Sequence, residues 1–205
     1  MSSRSGEGPR RIPQQERGER RVAQLLGAAA AVIAANGYES TTMCGIAERA
    51  DAPIGSLYQF FPNKPSIAQA LRSHYVNDYE DRLIQLEAEA PKLSLQGLVT
   101  RLLKMTVEFL DDHPAFLALL DAPSSTRSPA ALRKRLRTRL ARCFIAVRPS
   151  LDKTRALRYA AVTLQMIKGL NQLYGEVSRV ERKRIVGEYK VAISSYLSMQ
   201  IGGGR

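Results

Sequence analysis

GSLYQFFPNK, Gly55 to Lys64, places Tyr58, Phe60 and Phe61 close together in a chain that has no Trp and is only 6% aromatic. Pro53 and Pro62 bound the stretch and leave room for about two helical turns. On a wheel of about 100° per residue with Leu57 at zero, Phe61 lies about 40° to one side and Phe60 about 60° to the other, which predicts one buried stripe. Gly55, Tyr58 and Gln59 lie roughly 100° to 200° away and predict an outward face. A helix this short does not hold alone, so it depends on the large side chains it buries, each contributing about 1.5 to 3 kcal/mol. The outward set offers close backbone approach, hydroxyls (with Ser56) and an amide, which suit phosphate oxygens and base edges in a major groove.

Just upstream, STTMCGIAERAD, Ser40 to Asp51, reads as a short helix entered through hydroxyl residues, with Met43, Ile46, Ala47 and Ala50 on one face and no capping box at Thr42. A tight turn through Asp51, Ala52 and Pro53 joins the two. Two short helices so joined, the second with a polar outer face, describe a helix-turn-helix.

Away from this motif the helical period dominates from about Glu16, with no alternating strand pattern and no internal repeat. The fold class is all-α. A first helix runs from about Gln15 to Asn36 with Val22, Leu25, Leu26, Ala29, Ile33 and Ala34 as its stripe, and stops at Asn36-Gly37. A fourth runs from Lys64 towards Glu89 through Ile67, Leu71, Tyr75, Leu83 and Leu86. Others are predicted over 95–112, 114–121, 128–147, 153–174 and 180–200. The expected organisation is a disordered basic arm (1–14), a three-helix DNA-binding domain (15–63), a larger helical effector-binding and dimerisation domain continuous with it (64–200), and a frayed tail (201–205).

Length, at 205 residues, and a hydrophobic fraction of 44% allow a real core. The formal net charge of +12 points to polyanionic partners, nucleic acid or an anionic membrane surface. No run of about 18 uncharged apolar residues is present, so a spanning helix is not expected. Cys44 and Cys143 lie far apart without metal-ligand spacing, which predicts reduced thiols in a cytoplasmic protein, Cys44 on the outer side of its helix. His74 and His113 lack acidic or cysteine partners at ligand spacing and are expected to be structural. LRKRLRTRLARC, Leu132 to Cys143, reads as a solvated basic face over an apolar stripe, an acidic ligand or partner being the alternative. No Ser-His-Asp set, carboxylate pair, phosphate loop or metal constellation occurs, so neither an enzyme nor a cofactor is expected.

The segment GYESTTMCGIAERADAPIGSLYQFFPNK, Gly37 to Lys64, resembles the DNA-binding signature of TetR-family transcriptional regulators. It carries the glycine-tyrosine entry, the Thr-Thr helix start, the Ile-Ala pair, the Gly-Ser-Leu-Tyr core, the Phe and the Lys in register, and departs from the usual pattern at Pro53-Ile54. The resemblance implies that Thr42, Pro53, Ile54, Gly55, Ser56, Tyr58 and Gln59 face DNA, with Gln59 reading a base, and that Lys64 meets phosphate. Arg10, Arg11, Arg20 and Arg21 are further candidates for backbone or minor-groove contact.

In the larger module, Tyr75, Tyr79, Met105, Phe109, Phe116, Leu120, Phe144, Tyr159, Thr163 and Met166 are candidates to line an effector cavity. Leu164, Ile167, Asn171, Tyr174, Tyr189, Ile193, Tyr196 and Leu197 leave apolar surface that a two-fold four-helix dimer would bury. The reading is a homodimeric regulator of a pseudo-palindromic double-stranded operator, a repressor released by a small-molecule effector, with no membrane partner. The rivals are a sequence-indifferent architectural DNA binder and an enzyme or carrier using the helical cavity.

Overall fold

An alanine-rich run carries the first helix, α1 (Gln14–Ser40), to Asn36, and Gly37 breaks it at φ 76° and ψ 165°, a backbone conformation that costs glycine least. The computed structural model describes residues 14–120, 122 and 130–202. Arg10, Arg11, all of the predicted arm except Gln14, and residues 203–205 of the predicted tail lie outside them. Among the described residues every regular element is helical.

After Gly37 the chain makes one more helical turn, tied by Thr41 Oγ1 donating to the Gly37 carbonyl at 2.7 Å. Thr42 then caps α2 (Met43–Arg49), its hydroxyl accepting from the Gly45 amide at 3.1 Å. Asp51, at φ 48°, supplies the left-handed residue of the tight turn, which a short polar side chain tolerates better than most. That turn delivers α3 (Ile54–Phe60), and Asn63 starts α4 (Lys64–Glu89) with a reciprocal capping box to Ser66.

α4 buries Ile67, Leu71, Tyr75, Leu83 and Leu86, as its periodicity predicts. After a short 3₁₀ turn (Ala90–Lys92) come α5 (Leu95–Asp112), α6 (Pro114–Ala118), α7 (Ala130–Val147), α8 (Lys153–Glu176), α9 (Arg179–Leu197) and a terminal π turn (Ser198–Gly202). α6 is shorter than the predicted 114–121. Its last turn tightens into bonds three residues apart, from the Leu120 amide to the Leu117 carbonyl and from the Ala122 amide to the Leu119 carbonyl, to which Arg72 of α4 also donates.

Two features of the interior add to the sequence reading. The basic face of α7 is solvated as expected, with Arg133, Lys134, Arg135, Arg137 and Arg142 exposed, but part of it is also paired within the chain. Arg135 and Arg139 pair with Glu80, which is 3% exposed in the middle of α4, and Arg139 and Arg142 reach Glu87. The acidic partner is therefore α4 of the same chain, and a buried carboxylate held by two guanidiniums joins the two helices. His113 also has an acidic partner, Asp78, 35 residues away in sequence. A carboxylate only accepts, so His113 donates from Nε2 to Asp78 Oδ2 at 3.0 Å, while Arg82 bridges Asp78 and Asp112. The His113 ring packs on Tyr75 and Phe109, with centroids 4.9 and 4.7 Å away.

Cys143 lies fully buried against α4, its thiol donating to the Leu83 carbonyl. Burial, reinforced by Glu87, pushes that thiol up to about 12, which leaves it protonated and inert near neutral pH. Cys44 is exposed on α2, as expected.

Candidate nucleic-acid interface

Leu57 is fully buried and Phe61 nearly so, and together they seat α3 on the rest of the first module. From α1, Gln24 Nε2 donates to the Ala50 carbonyl at 2.7 Å, fixing the turn between α2 and α3. Arg21 lies 3.4 Å from Ser56 Oγ and 2.9 Å from Gln24 Oε1. The two side chains that hold the motif from behind are thus polar residues of α1, which an apolar-stripe reading of that helix passes over. Arg21 braces α3 rather than projecting as a free cation.

With its back so held, α3 presents Ile54, Gly55, Tyr58 and Gln59 outward, Tyr58 being 51% exposed. Pro53, the N-cap residue, and Thr42 are exposed beside them, and Ser56 is half-buried under Arg21. Seven of the eight residues assigned to DNA therefore occupy the α2 start and α3. The Thr42 hydroxyl uses an acceptor site for the Gly45 amide and keeps its own proton for donation.

Phe60 does not join the buried stripe and is 38% exposed. At Phe61 the chain leaves the helix with φ −134° and ψ 104°, and this extended residue turns its ring inward in the place a helical wheel gives to both. Phe60, the last helical residue, is left at the flank.

Lys64 is engaged inside the chain. Its Nζ donates to the carbonyls of Tyr38 and Glu39, both at 2.9 Å, and sits 4.5 Å from the centre of the Tyr38 ring. It clasps the end of α1 to the start of α4. Because Asn63 caps Ser66 and Pro65 has no amide proton, the Lys64 amide is the one donor of the first turn that the cap leaves open. Lys64→Met is therefore expected to lower stability by about 2 kcal/mol through lost charge-assisted bonds. Urea unfolding measures this, and an unchanged midpoint would return Lys64 to a role in phosphate contact alone.

Gly55 has no structural reason to be glycine. A Cβ built on it meets nothing within 4 Å and its φ is ordinary, although glycine inside a helix costs about 0.5 to 1 kcal/mol relative to Ala. The bare backbone there suits the close approach of another molecule. Gly55→Ala is expected to stabilise the free protein by about that amount while weakening DNA binding, read by urea unfolding and gel shift on one preparation. Tighter binding by the variant would remove the close-approach reading.

The larger module holds its candidate residues differently. A cavity of about 750 Å³ opens between α1 (Val22, Leu26, Ala30), α4 (Leu71, His74, Tyr75) and the α5–α6 corner (His113, Pro114). Of the ten cavity candidates, Tyr75 lines this space. Met105 lines a second, of about 310 Å³, between α4 and α5. Tyr79, Phe109 and Phe116 pack edge to face with their neighbours instead, and the Tyr79 hydroxyl is paired with Thr106 at 2.7 Å. Burial pushes the Tyr79 phenol up to about 12. Phe144, Tyr159 and Thr163 are buried, and Leu120 and Met166 are partly so. The Thr163 Oγ1 and Asn171 Oδ1 atoms, both on α8, are buried without a hydrogen-bond partner.

Most of the predicted dimer face faces inward. Ile167, Asn171, Tyr174, Ile193 and Leu197 are buried within the protomer, and Leu164, Tyr189 and Tyr196 are half-buried. The strongest apolar stripe of α8 packs on α7 and α9, and that of α9 on α8 and α5. Gly169 permits the approach of α8 to α9, since a Cβ there would come within 2.8 Å of Tyr189 Oη. The apolar residues exposed on this side are Val162 and Leu173 of α8, Val180 and Val191 of α9, and Met199. Among the described residues no helix is long and apolar enough to cross a membrane.

Two sequence families match the chain. Residues 25–71 match the bacterial regulatory proteins of the tetR family, and residues 94–197 match the tetracyclin repressor-like C-terminal domain. The transcriptional repressor KstR of Mycolicibacterium smegmatis is 43% identical over 51 residues, 25% of this chain and 23% of that protein; KstR of Rhodococcus jostii is 43% identical over the same length, covering 22% of its own. The chain thus matches less than a quarter of the length of these curated relatives. A TetR-family regulator from Streptomyces coelicolor superposes with a TM-score of 0.67 at 24% identity, over 87% of this chain and 98% of that one. The fatty acid degradation regulator FadR of Bacillus halodurans superposes with a TM-score of 0.62 at 16% identity, over 89% and 99%. These two share the fold.

Proposed function

The chain belongs to the TetR family of bacterial regulators, and from that premise we propose that it is a homodimeric transcriptional repressor that reads operator DNA with α3 and is released by a small-molecule effector. The observation that carries the reading is the two-faced α3, whose Leu57 and Phe61 anchor a helix presenting Gly55, Tyr58 and Gln59 outward. In a helix-turn-helix the second helix enters the major groove, and its outward residues meet base edges. Gln59 fits a bidentate contact to adenine, Tyr58 and Thr42 fit phosphate oxygens, and the bare backbone of Gly55 fits close approach. The net charge of +12 supplies salt-dependent affinity. Residues 15–63 form the reading module and 64–200 the effector and dimer module. The KstR repressors match over a stretch comparable in length to the reading module, which supports repression.

The dimer we propose uses the outward faces of α8 and α9, with Val162, Leu173 and Val191 at its centre, in place of the buried residues the periodicity pointed to. Effector control is supported by the cavity at the seam of the two modules. α4 is the natural carrier of the signal, clasped to α1 through Lys64 and to the rest of the large module through Tyr75, Asp78 and Glu80. An effector shifts this equilibrium only by its differential affinity for the two arrangements. A ligand screen against the operator complex by fluorescence anisotropy tests this part, with release by one compound class expected. Release by none, alongside intact operator binding, would remove effector control and keep the DNA reading.

A further inference from the structure

Ile54 opens α3 with its side chain 39% exposed, although isoleucine is among the residues most often buried. It is not among the residues that anchor the helix, since Leu57 and Phe61 seat it and Arg21 and Gln24 brace it. Residues four apart share a helix face, so Ile54 stands in one column with Tyr58, beside a second column of Gly55 and Gln59. The first turn of a reading helix is where base edges are met, whereas Phe60 lies at the far end of α3.

Base-pair edges in the major groove carry donors and acceptors, and one apolar group, the C5 methyl of thymine. An isoleucine against a purine edge or a cytosine amine would strip water from a polar atom and return no hydrogen bond. Against the thymine methyl it buries apolar surface at no such cost. Resting on the reading of α3 as the groove-entering helix, we infer that Ile54 is a specificity-determining residue that selects thymine at one position of each half-site. The selection is carried by the methyl group rather than by the polar edge of the T·A pair.

Deoxyuridine has the polar edge of thymidine and lacks the methyl, so it separates these two contributions. With an operator recovered by selection on the full chain, each thymine is replaced by deoxyuridine in both half-sites and the affinity measured by gel shift. One position is expected to respond. A buried methyl contributes about 0.8 kcal/mol, hence about a fourfold loss per half-site and on the order of tenfold for the dimer. Replacing that thymine by cytosine should weaken binding, and 5-methylcytosine should restore part of the loss. Ile54→Ala should bind the thymine operator more weakly and no longer distinguish thymine from deoxyuridine there.

A wild-type scan flat at every thymine, or a sensitive position whose discrimination survives unchanged in Ile54→Ala, would overturn the inference while leaving operator binding intact. Failure to select any operator would defeat the reading of α3 itself, and this inference with it. The scan alters DNA alone, so a flat result overturns the inference even if the variant folds poorly, and Ile54→Val, which keeps a β-branched side chain and shortens it, should reduce the discrimination at a sensitive position.

Discussion

Replacing Phe109 by Ala is expected to lower the free energy of unfolding by about 3 to 5 kcal/mol, the range for removing a buried phenylalanine ring. Phe109 is 2% exposed and stands at the hub of the aromatic cluster, edge to face with Tyr75, Tyr79 and Phe116, against His113, and under the Arg82 guanidinium at 5.5 Å. Those neighbours come from α4, α6 and the α5–α6 junction, and Phe109 itself from α5, so the cavity left by the ring cannot close without moving three helices. Urea unfolding followed by circular dichroism reads the loss. A change below about 1 kcal/mol would mean that the cluster is loosely packed and that α4 is not tied to the α5–α6 corner through it.

Tyr58→Ala is expected to act in the opposite sense, leaving stability within about 0.5 kcal/mol because the side chain is largely exposed. Operator affinity should fall on the order of a hundredfold. A hydrogen bond to a charged phosphate contributes about 1.5 kcal/mol or more, and a dimer loses it in both half-sites. Tyr58→Phe removes the hydroxyl and keeps the ring, so it should reproduce most of the loss if the phosphate bond dominates. Gel shifts with the wild type and both variants on one operator measure this. Wild-type affinity in Tyr58→Ala would exclude α3's outward column from the DNA interface.

The parts of the molecule visible in the sequence are those governed by local rules. Gly37 breaks its helix because only a residue without a Cβ takes φ 76° at little cost, and Asn36-Gly37 announces that break. The prolines punctuate the chain, and the period of α4 marks its inner face. The α3 wheel was right for Leu57, Tyr58 and Gln59 and failed at Phe60, where the backbone leaves helical geometry one residue later. What the sequence left hidden depends on residues far apart along it. The carboxylate partners of α7 lie more than 50 residues upstream, and the acidic partner of His113 lies 35 away, so neither pairing leaves a local pattern. A wheel also ranks the stripes of α8 and α9 without saying which helix covers each. The strongest stripes are covered inside the protomer, and the weaker Val162, Leu173 and Val191 remain outside. Lys64 fits a phosphate clamp by position alone, and only its distance to the Tyr38 and Glu39 carbonyls reveals the clasp.

The central claim is that the outward face of α3 reads base sequence in two symmetry-related half-sites. Selection of the full chain on random double-stranded DNA at physiological salt, repeated with Gln59→Ala, tests it most directly. The account predicts a pseudo-palindromic site with half-sites about one helical turn or slightly more apart, preferred by roughly 10³-fold or more over random DNA, and a loss of preference at one base pair per half-site in the variant. Recovery of no enriched sequence, or of identical sites from both proteins, would contradict it.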